Sequence, residues 1–213
     1  MNSKYKLLIF DMDGTIAYTD EMIIHTFIDL YDMYNPSAKK SKEELLYFSG
    51  PPLKVTLPQE FPNLDFDFIH SEFIRISTPY YEKYVELFPH ELEVIKKLKE
   101  LGYLLAVVTN KGHEKAQYVL DKLGLSPYFS LLIGGGDVRE MKPAPEGINK
   151  VLETFNVNKE EALYIGDNDI DYITASNAGV DSMICSWGPR KLNVLDQCNY
   201  VVSSYLAIKE ILC

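Results

Sequence analysis

Cysteine is scarce in this 213-residue chain: three residues, Cys185, Cys198 and Cys213, with no Cys-x-x-Cys among them. That excludes a disulfide framework and a cysteine zinc site, and leaves reduced thiols as the expected state. Positive charge is short as well, with 21 Lys and Arg against 31 Asp and Glu and a net charge of −10. Such a balance argues against nucleic-acid or anionic-membrane partners, and any anionic ligand would need positive charge placed locally. No apolar run approaches the ~20 residues that span a bilayer. Residues 1–6 run straight into an apolar segment, so no cleavable signal is expected. Internal repeats and low-complexity segments are missing too. The expectation is a soluble, cytoplasmic protein. Its 46% hydrophobic and 24% charged content is that of a globular chain with an ample core, either one large domain or a core carrying a smaller insert.

The most informative segment is residues 7–15, Leu-Leu-Ile-Phe-Asp-Met-Asp-Gly-Thr. An unbroken apolar run of four suits a strand buried on both faces, as in a parallel sheet. Asp11 and Asp13 then fall at its C-terminal end, where open α/β sheets place their ligands. Gly14 lets the chain leave the strand sharply. Two crowded carboxylates raise one another's pKa unless a cation neutralises them, and oxygen-only ligands of this kind suit Mg²⁺. An acidic surface turn has the same local composition.

Two textures follow. Residues from about 20 to 86 show helical periodicity and no good strand. Ile23, Phe27, Leu30, Tyr31 and Tyr34 form one apolar stripe that Asn35-Pro36 ends. Ser41 and Glu44 form a capping box, Gly50-Pro51-Pro52 is a rigid loop, and a last helical stretch over 66–87 is expected to bend or break near Pro79. From about residue 89, helices alternate with apolar strands. Strands are expected at 103–109, 129–133, 162–165 and 181–185, and helices at 91–101, 113–123, 146–155, 170–178 and 203–212. That alternation means βαβ units and an α/β, doubly wound parallel-sheet (Rossmann-like) core.

Three more strand ends carry polar signals. Thr109-Asn110 offers a hydroxyl and an amide ahead of a helix, which suits phosphate binding and equally a helix cap. Lys142 is followed by Pro143 and Pro145, which stiffen its segment; an ordinary surface lysine is the alternative. Gly166-Asp167 with Asp169 and Asp171 brings acids to a strand end. There they can complement the first two carboxylates or simply favour a helix N-terminus.

This ordered set closely resembles the haloacid dehalogenase-like superfamily, in its phosphatase branch with a helical cap inserted after the first core strand. The resemblance rests on Asp11-Met12-Asp13-Gly14-Thr15, Thr109-Asn110, Lys142-Pro143 and Gly166-Asp167 with Asp171. It implies a core domain of residues 1–17 and 88–213 and an all-helical cap domain of residues 18–87. It also implies Asp11 as nucleophile forming an aspartyl-phosphate, Asp13 as general acid and base, and Lys142 and Thr109 stabilising phosphoryl oxygens, with Asn110 beside them. Mg²⁺ would be held by Asp11, Asp167 and the backbone carbonyl of Asp13. Asp171, one helical turn beyond Asp167, would orient Lys142 or a metal-bound water. Asp169 stays ambiguous.

Asp13 disfavours dehalogenases within the superfamily, and the lack of lysine between Lys6 and Lys39 disfavours phosphonate hydrolases. His25 sits off the mutase position, and Tyr18 stands where many relatives have Asp. The implied activity is hydrolysis of a small, phosphoglycolate-like phosphate monoester. Inorganic pyrophosphate hydrolysis and β-phosphoglucomutase-like chemistry are the alternatives. The partner is a small phosphorylated metabolite, and the chain is a monomer or homodimer. The loop 48–54 resembles the specificity loop of phosphoglycolate-phosphatase-like and pyrophosphatase-like members. Gly50 and Lys54 are its candidate substrate contacts, with Arg75 a weaker one.

Overall fold

The computed structural model describes residues 4–213. In chain order its first elements are β1 (Leu7–Phe10), α1 (Asp20–Tyr34), α2 (Lys42–Leu45), α3 (Leu53–Glu60), α4 (Phe66–Tyr84), α5 (Glu91–Glu100) and β2 (Leu104–Gly112). The rest are α6 (His113–Lys122), β3 (Leu131–Gly135), α7 (Glu146–Phe155), β4 (Ala162–Gly166), α8 (Asp169–Ala178), β5 (Asp181–Cys185), β6 (Tyr200–Val202) and α9 (Tyr205–Leu212). They divide into two compact units, one holding the chain up to Ala17 and from Leu87 onward, the other Tyr18–Glu86. No helix among the described residues is long and apolar enough to cross a membrane.

Having no polar face, β1 must be covered on both sides, and all four of its residues are buried. It sits inside a parallel six-stranded sheet of order β3-β2-β1-β4-β5-β6. The chain builds outward from β1 to β3 and then returns to β4 on the other side. The connections thus reverse at β1, and a crevice opens at the carboxyl ends of the strands. Phe10 is level with Val107 of β2 and Ile165 of β4, so the residues following all three emerge side by side. Leu7, Ile9, Ala106, Val108 and Tyr164 share one core cluster with Ile148, Val151 and Leu152 of α7 and Ala175 and Ala178 of α8. Each Leu, Ile or Val of this cluster, fully buried, contributes roughly 1.5–3 kcal/mol. The doubly wound α/β class read from the alternation is the one observed.

Several local expectations need correcting. β2 does not stop at Thr109 but runs on to Gly112, with an irregular register against β3 between Val108 and Gly112. Gly134 and Gly135, beyond the expected strand end at 133, are strand residues. A Cβ on Gly134 would lie 2.6 Å from His113 Cα, and one on Gly135 2.9 Å from the Asn110 carbonyl, so glycine admits this close approach. β6, only three residues long, escaped notice.

In the helical unit, α4 is not broken at Pro79. Phe73, Ile76 and Tyr81 are buried on both sides of the proline, and packing carries the helix across the missing hydrogen bond. α3 was overlooked because it buries only Thr56 and Leu57 and contains Pro58, leaving no apolar stripe to read. Phe27 packs on Phe48 and Phe73 with ring centroids 4.6 and 5.7 Å apart, and Tyr31 packs on Phe61 at 5.3 Å. The capping box of Ser41 and Glu44 is formed. A backbone bridge between Tyr18 and Glu86 joins the two ends of the unit.

Candidate active site

The site of the sheet unit is assembled from strand ends. Asp11 continues the ladder beyond β1, its N–H donating to the Ile165 carbonyl at 2.8 Å. The chain then turns on Gly14, whose φ is +81°. The Met12 carbonyl accepts the N–H groups of Thr15, Ile16 and Ala17 at 3.0–3.1 Å. Glycine is required here on two counts. The left-handed φ is one, and a Cβ only 2.2 Å from Asp167 Oδ2 is the other.

Lys142 is buried and lies 2.7 Å from Asp11 Oδ1 and 2.7 Å from Asp171 Oδ1. It also donates to the Tyr164 hydroxyl at 3.1 Å, and that hydroxyl in turn donates to the Val108 carbonyl at 2.9 Å. Asp171 Oδ2 accepts the N–H groups of Asp167 and Asn168, both at 3.0 Å. A Cβ on Gly166 would fall 2.3 Å from Asp171 Cγ, so that glycine lets the helix acid fold back on its own strand. Asp169 faces away from this cluster, its two oxygens taken by the Asn193 N–H at 2.9 Å and Nδ2 at 2.8 Å. Of the two acids left open by the sequence, Asp171 touches the lysine and Asp169 braces a loop.

Burial pushes the Asp11 carboxyl up to about 6, with Lys142 pulling back and Asp171 adding to the rise. Burial opposes the Lys142 charge, but Asp11 and Asp171 more than offset it and hold the ammonium well above its ordinary value.

Asp13 lies outside this network. Both its oxygens accept from Lys111 Nζ, at 2.8 and 2.9 Å. Lys111 was not anticipated. It reaches Asp13 because β2 bulges over Thr109–Lys111, and bulges of this kind re-aim side chains next to active sites. The Thr109 hydroxyl accepts the Lys111 N–H at 3.2 Å, and Asn110 Nδ2 donates to the Lys142 carbonyl at 3.3 Å, tying two strand-end loops together. Tyr164, read as a plain strand residue, and Arg190, whose guanidinium sits on Asp167 Oδ2, were also missed.

Oxygens of Asp11, Asp167 and Asp171 all lie within 4.8 Å of one another. The set is purely anionic oxygen, without nitrogen or sulfur, and suits a hard divalent cation. Within it, Asp171 is held by Lys142 and two N–H groups, Asp11 by Lys142, and Asp167 by Thr15 and Arg190. The Asp13 carboxylate, engaged by Lys111, is not in the cluster.

Gly50 and Lys54 belong to the helical unit. Gly50 has φ +105°, and Lys54 is exposed and without an ion-pair partner among the described residues. Arg75, the weaker candidate, is engaged within its own helix: its Nε donates to Glu72 Oε1 at 2.9 Å. His25 faces Glu21 and stacks on Tyr84 with centroids 4.7 Å apart, the place of a packing residue.

The sequence profile of haloacid dehalogenase-like hydrolases matches residues 8–185. Pyrophosphatase PpaX of Bacillus cereus is 32% identical over 180 residues, covering 84% of this chain and 82% of its own. Its counterpart in Halalkalibacterium halodurans is 31% identical over 183 residues, covering 86% and 84%. A predicted phosphoglycolate phosphatase from Haemophilus somnus superposes with a TM-score of 0.86 over 99% of both chains, at 24% identity, a likeness of fold. The chain belongs to the haloacid dehalogenase-like hydrolases, as an enzyme of their phosphatase type.

Proposed function

We propose that the protein is a Mg²⁺-dependent phosphatase that hydrolyses a small phosphate monoester through a phosphoryl group carried on Asp11. The observation that supports it most is the Lys142 ammonium held 2.7 Å from both Asp11 and Asp171, since phosphoryl transfer needs a positioned carboxylate beside fixed positive charge. Asp11 attacks phosphorus, the bond to the leaving oxygen breaks, and Asp13 gives that oxygen a proton. Asp13 then takes a proton from the water that attacks the phosphoryl group, releasing phosphate and restoring Asp11. Lys142 and Thr109 contact equatorial oxygens, and Asp171 keeps Lys142 in place. Asp11, Asp167 and the Asp13 carbonyl would hold Mg²⁺, which would supply charge neutralisation for the transferring group.

Charge counting supports an anionic substrate in this acidic protein. Asp11, Asp13, Asp167 and Asp171 face Lys111, Lys142 and Arg190, one net negative charge that a divalent cation would offset before an anion binds.

A second reading, inorganic pyrophosphate as substrate, is favoured by the relatives' name and by the Lys111–Asp13 ion pair. Phosphate leaves without needing a proton, whereas an alkoxide requires one from Asp13. Phosphate release from pyrophosphate, phosphoglycolate, sugar phosphates and an aryl phosphate, with Mg²⁺ and with excess chelator, tests both. Full activity in chelator would overturn the metal-dependent reading. Sugar-phosphate isomerisation outrunning phosphate release would overturn hydrolysis. Ca²⁺ should suppress turnover, because its looser shell suits attack by a ligand carboxylate poorly.

A further inference from the structure

The loop after β5 reaches the carboxylate cluster with two side chains. Trp187 donates its indole N–H to the Gly14 carbonyl at 2.8 Å, and Arg190, three residues later, places its guanidinium on Asp167 Oδ2. All of these residues are in the sheet unit. Arginine is seldom buried without an anionic partner, yet Arg190 is only 8% exposed. The turn at Gly14 is wedged against the same pair: a Cβ there would lie 2.2 Å from Asp167 Oδ2 and 2.6 Å from Arg190 Nη2. The other Asp167 oxygen accepts the Thr15 hydroxyl at 3.1 Å. Both Asp167 oxygens are therefore engaged from within the chain, and the group on Oδ2 is a cation.

Neither nucleophilic attack by Asp11 nor its support by Lys142 calls for an arginine at that place. A divalent ion shared by Asp11 and Asp167 does have to contend with it. Two cations on one buried carboxylate repel strongly in a medium of low dielectric, so the ion and the guanidinium compete for Asp167. We propose that Arg190 is a built-in counter-ion that occupies Asp167 in the metal-free enzyme and is displaced by the divalent cation. The Trp187–Arg190 loop thereby lowers metal affinity and reports site occupancy. This rests on the reading of Asp11 and Asp167 as the cation site.

Two consequences follow from the geometry. Metal-free protein keeps Asp167 neutralised and folds without the ion. Metal entry shifts a loop whose indole is anchored three residues away, and Trp187 is the single tryptophan of the chain.

The test titrates Mg²⁺ alone into the wild type, Arg190→Gln and Arg190→Lys, read by calorimetry and by tryptophan emission. Arg190→Gln is expected to bind Mg²⁺ at least roughly fivefold more tightly than the wild type, because the competing charge is gone. Arg190→Lys, which keeps the charge, stays nearer the wild-type affinity. Wild-type emission changes along the same isotherm as the heat. Unchanged or weaker Mg²⁺ binding in folded Arg190→Gln overturns the proposal. So does wild-type emission that stays constant where calorimetry shows saturation, a result that needs no variant to fold. Absence of Mg²⁺ binding by the wild type overturns the cation site itself, and the counter-ion role with it. Binding that ignores the substitution removes the role of Arg190 alone.

Discussion

In the sheet unit Asp11, Glu91, Lys142, Asp167, Asp171 and Arg190 are all buried, whereas among the described residues of the helical unit Asp20 is the one buried charged side chain. Buried ions are costly unless each finds an oppositely charged or hydrogen-bonding partner. Asp11 and Asp171 find theirs in Lys142, and Asp167 in Arg190. The helical unit is held by apolar and aromatic packing, and its cations lie on the surface. Lys39 pairs with Asp32, Lys40 lies 3.2 Å from Glu60, and Arg75 pairs with Glu72. Exposed pairs of this kind contribute little to stability and tolerate change. Chemistry fixed in one unit and selectivity open to variation in the other is the division of labour this contrast suggests.

The contrast breaks most visibly at the nucleophile. Asp11→Asn keeps the shape and loses the attacking oxygen, so kcat should fall by about a thousandfold or more with the fold intact. Phosphate release surviving above a few per cent would contradict the covalent route. Lys142→Met should lower kcat by roughly a hundred- to a thousandfold. It should also cost about 3–5 kcal/mol of stability, because Asp11 and Asp171 are left buried without their cation. Steady-state kinetics and urea unfolding read the two losses, and activity lost at unchanged stability would contradict the pairing of Asp11 and Asp171 with Lys142.

Substitution in the helical unit should act more weakly and selectively. Lys54→Ala should lower kcat/KM severalfold for an ester whose leaving group is anionic and spare an aryl phosphate, whose leaving group carries no second anionic group. Equal losses on both, or none, would remove Lys54 from substrate recognition.

The smallest expected effect concerns a buried acid outside the catalytic cluster. Glu91 Oε2 accepts the Phe88 N–H at 2.9 Å, and burial holds its carboxyl well above the ordinary 4.5, against the pull of that N–H. The protonated form is thus favoured on folding. Its contribution is complete below about pH 4.5 and is lost as pH rises through the raised value. Glu91→Gln removes the titration, so its Tm should gain on the wild type by roughly 2–4 °C between mildly acidic and mildly alkaline pH. A pH-independent difference in calorimetric scans would contradict this.

The sheet and the polar residues at its strand ends were legible because local pattern dictates them. A four-residue apolar run has to be buried, and Asp11 and Asp13 follow from its end by count alone. Lys111 was not legible, since the bulge that turns it toward Asp13 exists only once β2 pairs with β3. Arg190 was hidden for a similar reason. Its loop has no periodicity, and its partner Asp167 lies 23 residues earlier, just beyond the end of β4. Tyr164 looked like strand filler because nothing in the sequence shows that its hydroxyl ends beside Lys142. The spacing of the resemblance selected Asp171, whereas the place of Asp169 on the Asn193 loop exists only in the folded chain.

The central claim is that the sheet unit transfers the phosphoryl group to one of its own carboxylates. The direct measurement is rapid acid quench of wild type and Asp11→Asn mixed with a labelled phosphate ester and Mg²⁺, followed by mapping of the labelled peptide. The account predicts one labile phosphoryl group on the peptide containing Asp11 in the wild type and none in the variant. Turnover by the wild type with no protein-bound label at any quench time, or label on another residue, would contradict it.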